Sequence, residues 1–259
     1  MNVDEVHEAS LRAFPLLRNV LLGPYPSAHV ETEPVDGALL LDREWLTARV
    51  DEAMRLWGTA DRRVAATLWW YNASSTFVAT GATALLVTGA APDPRPETLR
   101  MTLRRTGYAG YPARVRSDRM CGAAEAFGAA LHDGFDPVMR VLAGVSGAGH
   151  RPLWSVLTDS LANRLLVVAR KLGGPDVDAL AALSARVTGA APYAPTARLS
   201  VTRDEVLEEV LGESRPVEYV RRGSCCLLYE VPGEGKCANC PRQAPDVRER
   251  RVLAAGGGT

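Results

Sequence analysis

The chain has 259 residues, and its 30 Lys and Arg balance 30 Asp and Glu, so its formal net charge is zero. This balance argues against binding to nucleic acid or to an anionic membrane through an overall positive field, although it allows a local basic patch. The length suits one large domain or two modest ones. The N-terminal segment has no basic stretch followed by an apolar one, so we predict no signal peptide and a cytoplasmic location.

The first part of the chain predicts helices. Apolar residues at helical spacing predict a helix within 3–20, and Asp42 is a suitable N-cap for a second helix over 43–58. The next segment, 64–92, has no charged residue and is long enough to cross a bilayer. Its many Thr, Ser and Ala residues instead favour a buried helix or helix pair, broken near Gly81, and we predict no transmembrane segment.

The middle of the chain predicts a hairpin followed by more helices. Residues 97–119 contain β-compatible runs around the turn sequence Gly-Tyr-Ala-Gly-Tyr-Pro. Helices are predicted over 121–144, 152–172 and 176–188. We therefore expect an α+β protein that is predominantly helical, with a helical main domain, a short β-hairpin and a small C-terminal segment.

The Pro- and Ala-rich segment 189–197 is the best internal boundary. It divides a mostly helical domain, 1–196, from a smaller C-terminal region, 197–259. Smaller elements predicted in the second region are a helix over Thr202–Leu211 that starts with a capping box, short strands over Val217–Val220 and Leu227–Val231, and a frayed end.

Four of the five cysteines lie close together near the C-terminus: Cys225, Cys226, Cys237 and Cys240. In a reducing compartment, clustered thiols are more often metal ligands than disulfides. Four thiolates suit an iron–sulfur cluster or a structural zinc ion. Vicinal cysteines favour the larger cluster, because neighbouring extended residues point to opposite sides. The residues alone leave open a cluster, a zinc site, and a disulfide or chance grouping. The fifth cysteine, Cys121, stands apart and is interpreted as an incidental thiol.

The order of these residues is Cys-Cys, ten residues, then Cys-x-x-Cys-Pro, preceded by Arg-Arg and spanned by a loop rich in Pro and Gly. This pattern, over roughly residues 219–242, resembles the C-terminal 2Fe-2S segment of the FhuF-like ferric-siderophore reductases. The resemblance implies that the four cysteines bind a 2Fe-2S cluster as the redox centre. It implies in addition that the small C-terminal region, 197–259, is the iron–sulfur cluster region and that 1–196 is a siderophore-binding or scaffold domain. It also implies that the protein reduces Fe³⁺ in a siderophore, of hydroxamate type, and releases Fe²⁺ in the cytoplasm.

The partners follow from that resemblance and from the absence of nucleotide motifs. The glycine-rich stretch 144–150 lacks the Gly-Lys-Ser/Thr ending of a phosphate-binding loop. We therefore expect electrons to come from an unidentified protein donor, with the ferric siderophore as substrate. No nucleic acid is expected as a partner, while transient association with the inner membrane remains compatible with the sequence.

Basic and aromatic residues are candidates for docking the substrate or the donor. The basic ones surround the motif: Arg221, Arg222, Lys236 and Arg242. The aromatic ones are Trp69 and Tyr71, which could line a cleft, although core packing is the favoured interpretation for them. Solvated surface is the ordinary alternative for the arginines and the lysine. Two alternatives for the whole protein are a structural-zinc binding module, and a 2Fe-2S redox sensor or electron carrier without a siderophore site.

Overall fold

Seven α-helices dominate the part of the chain that the computed structural model describes, namely residues 1–18, 32–105, 108–174, 176–189, 198–203 and 216–255. The helices are α1 (Val3–Ala13), α2 (Arg43–Trp57), α3 (Arg62–Thr88), α4 (Ala124–Ser146), α5 (His150–Lys171), α6 (Val177–Thr188) and α7 (Pro245–Ala254). The strands are β1 (Thr32–Asp36), β2 (Ala91–Pro92), β3 (Leu99–Arg104), β4 (Pro112–Ser117), β5 (Met120–Gly122), β6 (Arg198–Arg203) and β7 (Pro216–Arg221). The predicted α+β, predominantly helical class is confirmed.

The long helix α3 lies at the centre of the core and is buried along most of its length. The carboxylate of Asp61 caps its first turn by accepting from the backbone N–H groups of Arg63 and Val64. The predicted break near Gly81 is wrong, because the helix runs through that residue. A Cβ atom built at Gly81 would lie 2.3 Å from Cζ of Phe127, so glycine allows α4 to pack closely there.

The polar residues of α3 explain how an uncharged helix is buried among neighbouring helices. The Oγ atom of Ser74 lies 2.8 Å from that of Ser160 on α5, while Thr83 bonds back to its own helix through the Ala79 carbonyl. The hydroxyls of Ser74 and Thr83 are thus satisfied within the protein, whereas that of Thr80 has no partner among the described residues. No helix in the described ranges has the length and apolar character needed to cross a membrane.

Helix α2 begins at the predicted cap, and three later helices are also confirmed. Asp42 accepts from the backbone N–H of Trp45 at 2.7 Å and begins α2, which ends at Gly58 in the left-handed conformation. Helices α4, α5 and α6 confirm the predicted helical segments to within three residues at each end.

The predicted hairpin is confirmed as β3 and β4, which form an antiparallel sheet with β1 in the order β1-β3-β4. Two tryptophans attach its turn to the helices. Nε1 of Trp69 donates to the Gly110 carbonyl at 3.1 Å, and Nε1 of Trp57 donates to the Tyr111 hydroxyl at 3.0 Å. The hairpin is therefore fixed against α2 and α3.

The C-terminal region differs in part from the prediction. The strand over Val217–Val220 is confirmed within β7, which pairs with β6. The strand over Leu227–Val231 is wrong, because Leu227 has a φ of 66° and a 3₁₀ turn follows it at Leu228–Glu230. Thr202 lies in β6 and not at the start of the predicted helix. The rest of that predicted helix, 204–211, falls outside the described residues. The predicted domain boundary at 196/197 also falls outside them and remains a prediction.

A buried histidine on α1 yields a test of this packing. His7 is 4% exposed, and among the described residues neither of its ring nitrogens has a hydrogen-bond partner. Burial, aided by the nearby Arg116 guanidinium, lowers the pKa of His7 to about 4 from the ordinary 6.5. The unfolded chain therefore takes up this proton at a higher pH than the folded protein does.

We expect the free energy of unfolding to fall as the pH is lowered from about 6.5 to about 4, because protons then favour the unfolded state. His7→Leu should flatten this part of the pH dependence, as measured by urea unfolding at pH 7 and pH 5. His132→Leu, on α4, is the control and should keep the wild-type slope. A His7→Leu variant with an unchanged slope would contradict the assignment.

Candidate metal centre

A buried carboxylate binds the backbone just before the vicinal cysteines. Asp159 of α5 is 1% exposed, and its Oδ1 accepts from the backbone N–H of Gly223 at 3.0 Å. Its Oδ2 accepts from both the backbone N–H and the hydroxyl of Ser224, each at 3.1 Å. Burial raises the pKa of Asp159, and these hydrogen bonds oppose that rise. Asp159 thus fixes the two residues that precede the vicinal cysteines.

The second cysteine pair lies on a tight turn. The backbone N–H of Cys240 donates to the Cys237 carbonyl at 3.1 Å. Nδ2 of Asn239 donates to the Val220 carbonyl at 2.6 Å and so attaches this turn to the end of β7. Nε2 of Gln243 donates to the Cys237 carbonyl at 3.0 Å. The Cys-x-x-Cys segment is therefore held on the same strand end from which the first pair departs.

The loop between the pairs packs on α3. A small apolar cluster contains Val64 and Leu68 of that helix together with Cys226, Leu227 and Val231. The positive φ of Leu227 is costly for a branched side chain, and it turns the loop so that the backbone N–H of Leu227 lies 3.4 Å from Sγ of Cys225. The burial of this apolar floor offsets that strain.

The four sulfur atoms form one contiguous group. Sγ of Cys225 lies 3.7 Å from Sγ of Cys240, and Sγ of Cys226 forms hydrogen bonds with the thiols of both Cys225 and Cys237. Two sulfurs bound to one tetrahedral metal at about 2.3 Å lie about 3.8 Å apart. The separation between the sulfurs of Cys225 and Cys240 therefore suits ligands of the same metal atom. No three His, Cys, Asp or Glu side chains in the described ranges are arranged around a single metal-ion position.

The pKa values of these thiols are shifted in opposite directions. Hydrogen bonds from Cys225 and Cys237 lower the pKa of Cys226, and the Arg222 guanidinium lowers it further. The same contacts with Cys226 raise the pKa values of Cys225 and Cys237, and burial adds to that rise. A thiolate, the form that binds metals, is thus favoured at the buried Cys226.

Arg222 is a buried cation beside these sulfurs. It is 4% exposed, its Nη1 lies 3.7 Å from Sγ of Cys237, and its Nε lies 3.8 Å from Asp159. Its guanidinium stacks 4.6 Å above the ring of Tyr71. Nε and Nη2 are buried and have no hydrogen-bond partner among the described residues. Such donors suit the sulfur atoms of an iron–sulfur cluster, which accept hydrogen bonds from the surrounding protein.

Comparison with known proteins agrees with this chemistry. Residues 222–242 match the family of the FhuF 2Fe-2S C-terminal domain. This segment is a FhuF-type 2Fe-2S domain. The predicted resemblance and the predicted 2Fe-2S cofactor are thereby confirmed. The matched range begins at Arg222 and ends at Arg242, within the C-terminal region. No curated protein matches the chain.

The predicted docking residues of the FhuF-type segment occupy different environments. Arg222 is buried under the cysteines, whereas Arg221 is exposed at the end of β7. Lys236 is exposed and donates to the Arg242 carbonyl at 3.0 Å, and both side chains lie 5.8 Å from the ring of Tyr229. Docking by these residues remains a prediction, and only the exposed ones can meet a partner directly.

The two aromatic candidates also differ. Trp69 is fully buried, with its indole bonded to the hairpin turn, so it lies in the core as the favoured interpretation expected. Tyr71 instead packs beside the cysteines and lines a cavity of about 530 Å³ between α3, α5 and the hairpin.

A second cavity, of about 450 Å³, opens directly onto Cys225. Three arginines from different parts of the chain line it, namely Arg63, Arg151 and Arg242. Arg63 is paired with Asp61 and Glu230, while Arg151 has no acidic partner within 4 Å among the described residues. We call this set the arginine rim. Sequence reasoning missed Arg63 and Arg151 because they lie far from the motif along the chain.

Sequence reasoning also missed Asp159, although a signal for it exists. It is the lone charged residue between Arg151 and Arg164, within the predicted helix 152–172. An isolated carboxylate in such a segment is costly to bury unless it is paired, so it indicates a specific partner elsewhere in the fold.

Asp159→Asn should loosen the start of the motif, because an amide nitrogen would face the N–H donors of Gly223 or Ser224. Leaving such donors unsatisfied costs about 1–3 kcal/mol. We expect a lower melting temperature and less iron bound per chain, measured by thermal unfolding and by iron analysis. Asp178→Asn, an exposed position on α6, is the matched control and should leave both unchanged. Full iron content and unchanged melting in Asp159→Asn would refute the anchoring role.

Arg222→Gln should lower the reduction potential of the metal centre by on the order of tens of millivolts, because a nearby cation stabilises the more negative reduced state. A redox titration of the visible absorbance measures this shift. Arg221→Gln changes the adjacent but exposed arginine and should have little effect. Equal shifts in the two variants would show that the buried position has no special influence.

Proposed function

We propose that this protein is an iron–sulfur ferric-siderophore reductase that acts in the cytoplasm. It reduces Fe³⁺ in a siderophore, of hydroxamate type, by one electron and releases Fe²⁺. The observation that carries this proposal is the FhuF-type segment at residues 222–242, in which Sγ of Cys225 lies 3.7 Å from Sγ of Cys240 and the thiols of Cys225 and Cys237 lower the pKa of Cys226.

The ligands that we assign to the 2Fe-2S cluster are Cys225, Cys226, Cys237 and Cys240. When bound, such a cluster supplies a one-electron redox centre. The surrounding residues hold that site in place. Asp159 fixes the backbone before the first pair, Asn239 fixes the turn of the second, and Arg222 keeps a positive charge beside Cys237. The apolar floor contributed by α3 limits access of water to Cys226.

Reduction releases iron because the siderophore oxygens discriminate between its oxidation states. Fe³⁺ is a small, highly charged cation that hard oxygen ligands hold tightly, while Fe²⁺ has a lower charge density and is held more weakly. Each Fe³⁺ consumes one electron, and the carrier itself is neither oxidised nor cleaved. The electron must therefore be replaced by a reduced protein donor after every turnover.

The arginine rim is the place that we assign to that donor. It surrounds the cavity that reaches Cys225, so a partner seated there would lie next to one of the cluster ligands. Its three guanidiniums favour an acidic partner surface, and Arg242 belongs both to this rim and to the docking residues predicted from the sequence. Exposed Lys236 and Arg221 extend the same basic character.

An electron carrier or redox sensor without a siderophore site is the second candidate, because the arginine rim by itself would serve protein-to-protein electron transfer equally well. The zinc module is less well supported, since the matched family is defined by a 2Fe-2S centre. Activity toward a ferric chelate separates the reductase from the carrier.

We expect chemically reduced protein, mixed anaerobically with a ferric hydroxamate, to form Fe²⁺ that a ferrous chelator traps as a coloured complex. Cys237→Ser should lose or distort the visible absorption of the centre and reduce the rate at least tenfold, while most of the far-UV helical signal remains. Cys121→Ser is the matched control, because Cys121 lies apart from the motif and bonds to the Ala91 carbonyl. Fe²⁺ formation that is equally fast in Cys237→Ser would reject the reductase assignment.

A further inference from the structure

The larger cavity, of about 530 Å³, contains a half-buried cation that has no counter-charge among the described residues. Arg164 of α5 donates from Nε to the backbone carbonyl and to the hydroxyl of Ser75 on α3, both at 3.0 Å. Within the described ranges no carboxylate lies within ion-pair distance of it, and burial lowers its pKa. An unpaired guanidinium in a partly enclosed site is destabilising because it has lost part of its hydration. A negatively charged ligand would compensate for this loss, so the cavity favours such a ligand.

The remaining lining supports the same kind of ligand. Arg104, at the end of β3, is a second lining cation with no acidic partner among the described residues. None of the described residues around the cavity is acidic. Asn72 and Asn163 add amide groups, and Tyr108 adds a hydroxyl at the exposed edge. The cavity therefore combines two positive charges with several hydrogen-bond donors, which suits an oxygen-rich anion.

This cavity also reaches the metal centre through two direct contacts. Tyr71 lines it and lies under the Arg222 guanidinium, 4.6 Å from the ring centroid to Cζ. Nη1 of Arg222 is in turn 3.7 Å from Sγ of Cys237. A ligand that touches Tyr71 is thus separated from Cys237 by two side chains, those of Tyr71 and Arg222. The arginine rim, by contrast, approaches the same group from Cys225.

We propose that this cavity binds the ferric chelate, with Arg164 and Arg104 holding its negatively charged oxygen atoms. This proposal rests on the proposed function. A chelate of three hydroxamates and Fe³⁺ is neutral, and uptake of one electron at iron leaves it with one negative charge. The two guanidiniums bind the charged form more strongly than the neutral form, so they favour reduction of the bound chelate. The arginine rim stays free for the donor, and the two partners occupy different surfaces.

The test uses Ga³⁺, which has the charge of Fe³⁺ but is not reduced, so that binding is measured separately from electron transfer. The Ga³⁺ chelate of a tris-hydroxamate is titrated into the full-length, cluster-loaded protein by calorimetry. We expect saturable binding that Arg164→Gln weakens at least tenfold, because the variant loses a charge-assisted hydrogen bond to the chelate oxygen atoms. Arg164→Lys should restore part of the affinity. Arg151→Gln, on the arginine rim, is the matched control and should bind as the wild type does.

Ligand charge provides a second measurement with the same protein. A Ga³⁺ chelate that carries one peripheral carboxylate should bind more tightly than its methyl ester, and Arg164→Gln should reduce that preference. If Arg164→Gln does not fold, Arg104→Gln at the open side of the cavity replaces it, with an expected loss of at least threefold. Absence of binding, unchanged affinity in both variants, or loss of binding in Arg151→Gln would overturn the proposal.

These outcomes separate the binding site from the proposed function. If the Ga³⁺ chelate binds in an Arg164-dependent way but the ferric chelate is not reduced, the reductase assignment fails and the site stands. If the ferric chelate is reduced by Arg164→Gln with an unchanged KM and the Ga³⁺ affinity is also unchanged, the site fails and the reductase assignment stands.

Discussion

The buried contact between Asp159 and the backbone of Gly223 and Ser224 is the interaction on which the metal centre depends. A carboxylate on α5 is stable at 1% exposure because three N–H and O–H donors and the Arg222 guanidinium surround it. It therefore fixes the chain next to the vicinal cysteines and simultaneously compensates part of the charge on Arg222. Removal of this single carboxylate would leave a buried cation and two backbone donors without their partner.

That arrangement links the helical core to the redox chemistry. Helix α3 contributes the apolar floor through Val64 and Leu68, and one turn further along it contributes Tyr71. Helix α5 contributes Asp159 to the cysteine loop and, further along, Arg164 to the larger cavity. Since the same two helices carry both sets of residues, their packing fixes the distance between the metal centre and the proposed chelate site. Changes in that packing would affect both.

Several features were predictable because they depend on neighbours in the sequence. The caps of α2 and α3 and the hairpin after Leu99 follow from local chemistry, and the helices after Cys121 follow from periodic burial. Prediction from neighbouring residues failed at Leu227. The apolar residues there predicted a strand, but they form a turn. The loop must there direct two adjacent cysteines toward one group of sulfurs, and this tertiary demand overrides the β propensity of the segment.

The sequence by itself determined the chemistry of the centre. Four cysteines in the order Cys-Cys-x₁₀-Cys-x₂-Cys provide the soft sulfur atoms that we propose as cluster ligands, and that order also carries the family resemblance, because covalent spacing restricts which sulfurs can meet. Only the tertiary structure decided the surroundings. It buried Arg222, which the sequence suggested as a docking residue, and it brought Asp159 and Arg151 to the motif across 63 or more residues. Charge and burial around a metal centre arise from helix packing, which no local pattern encodes.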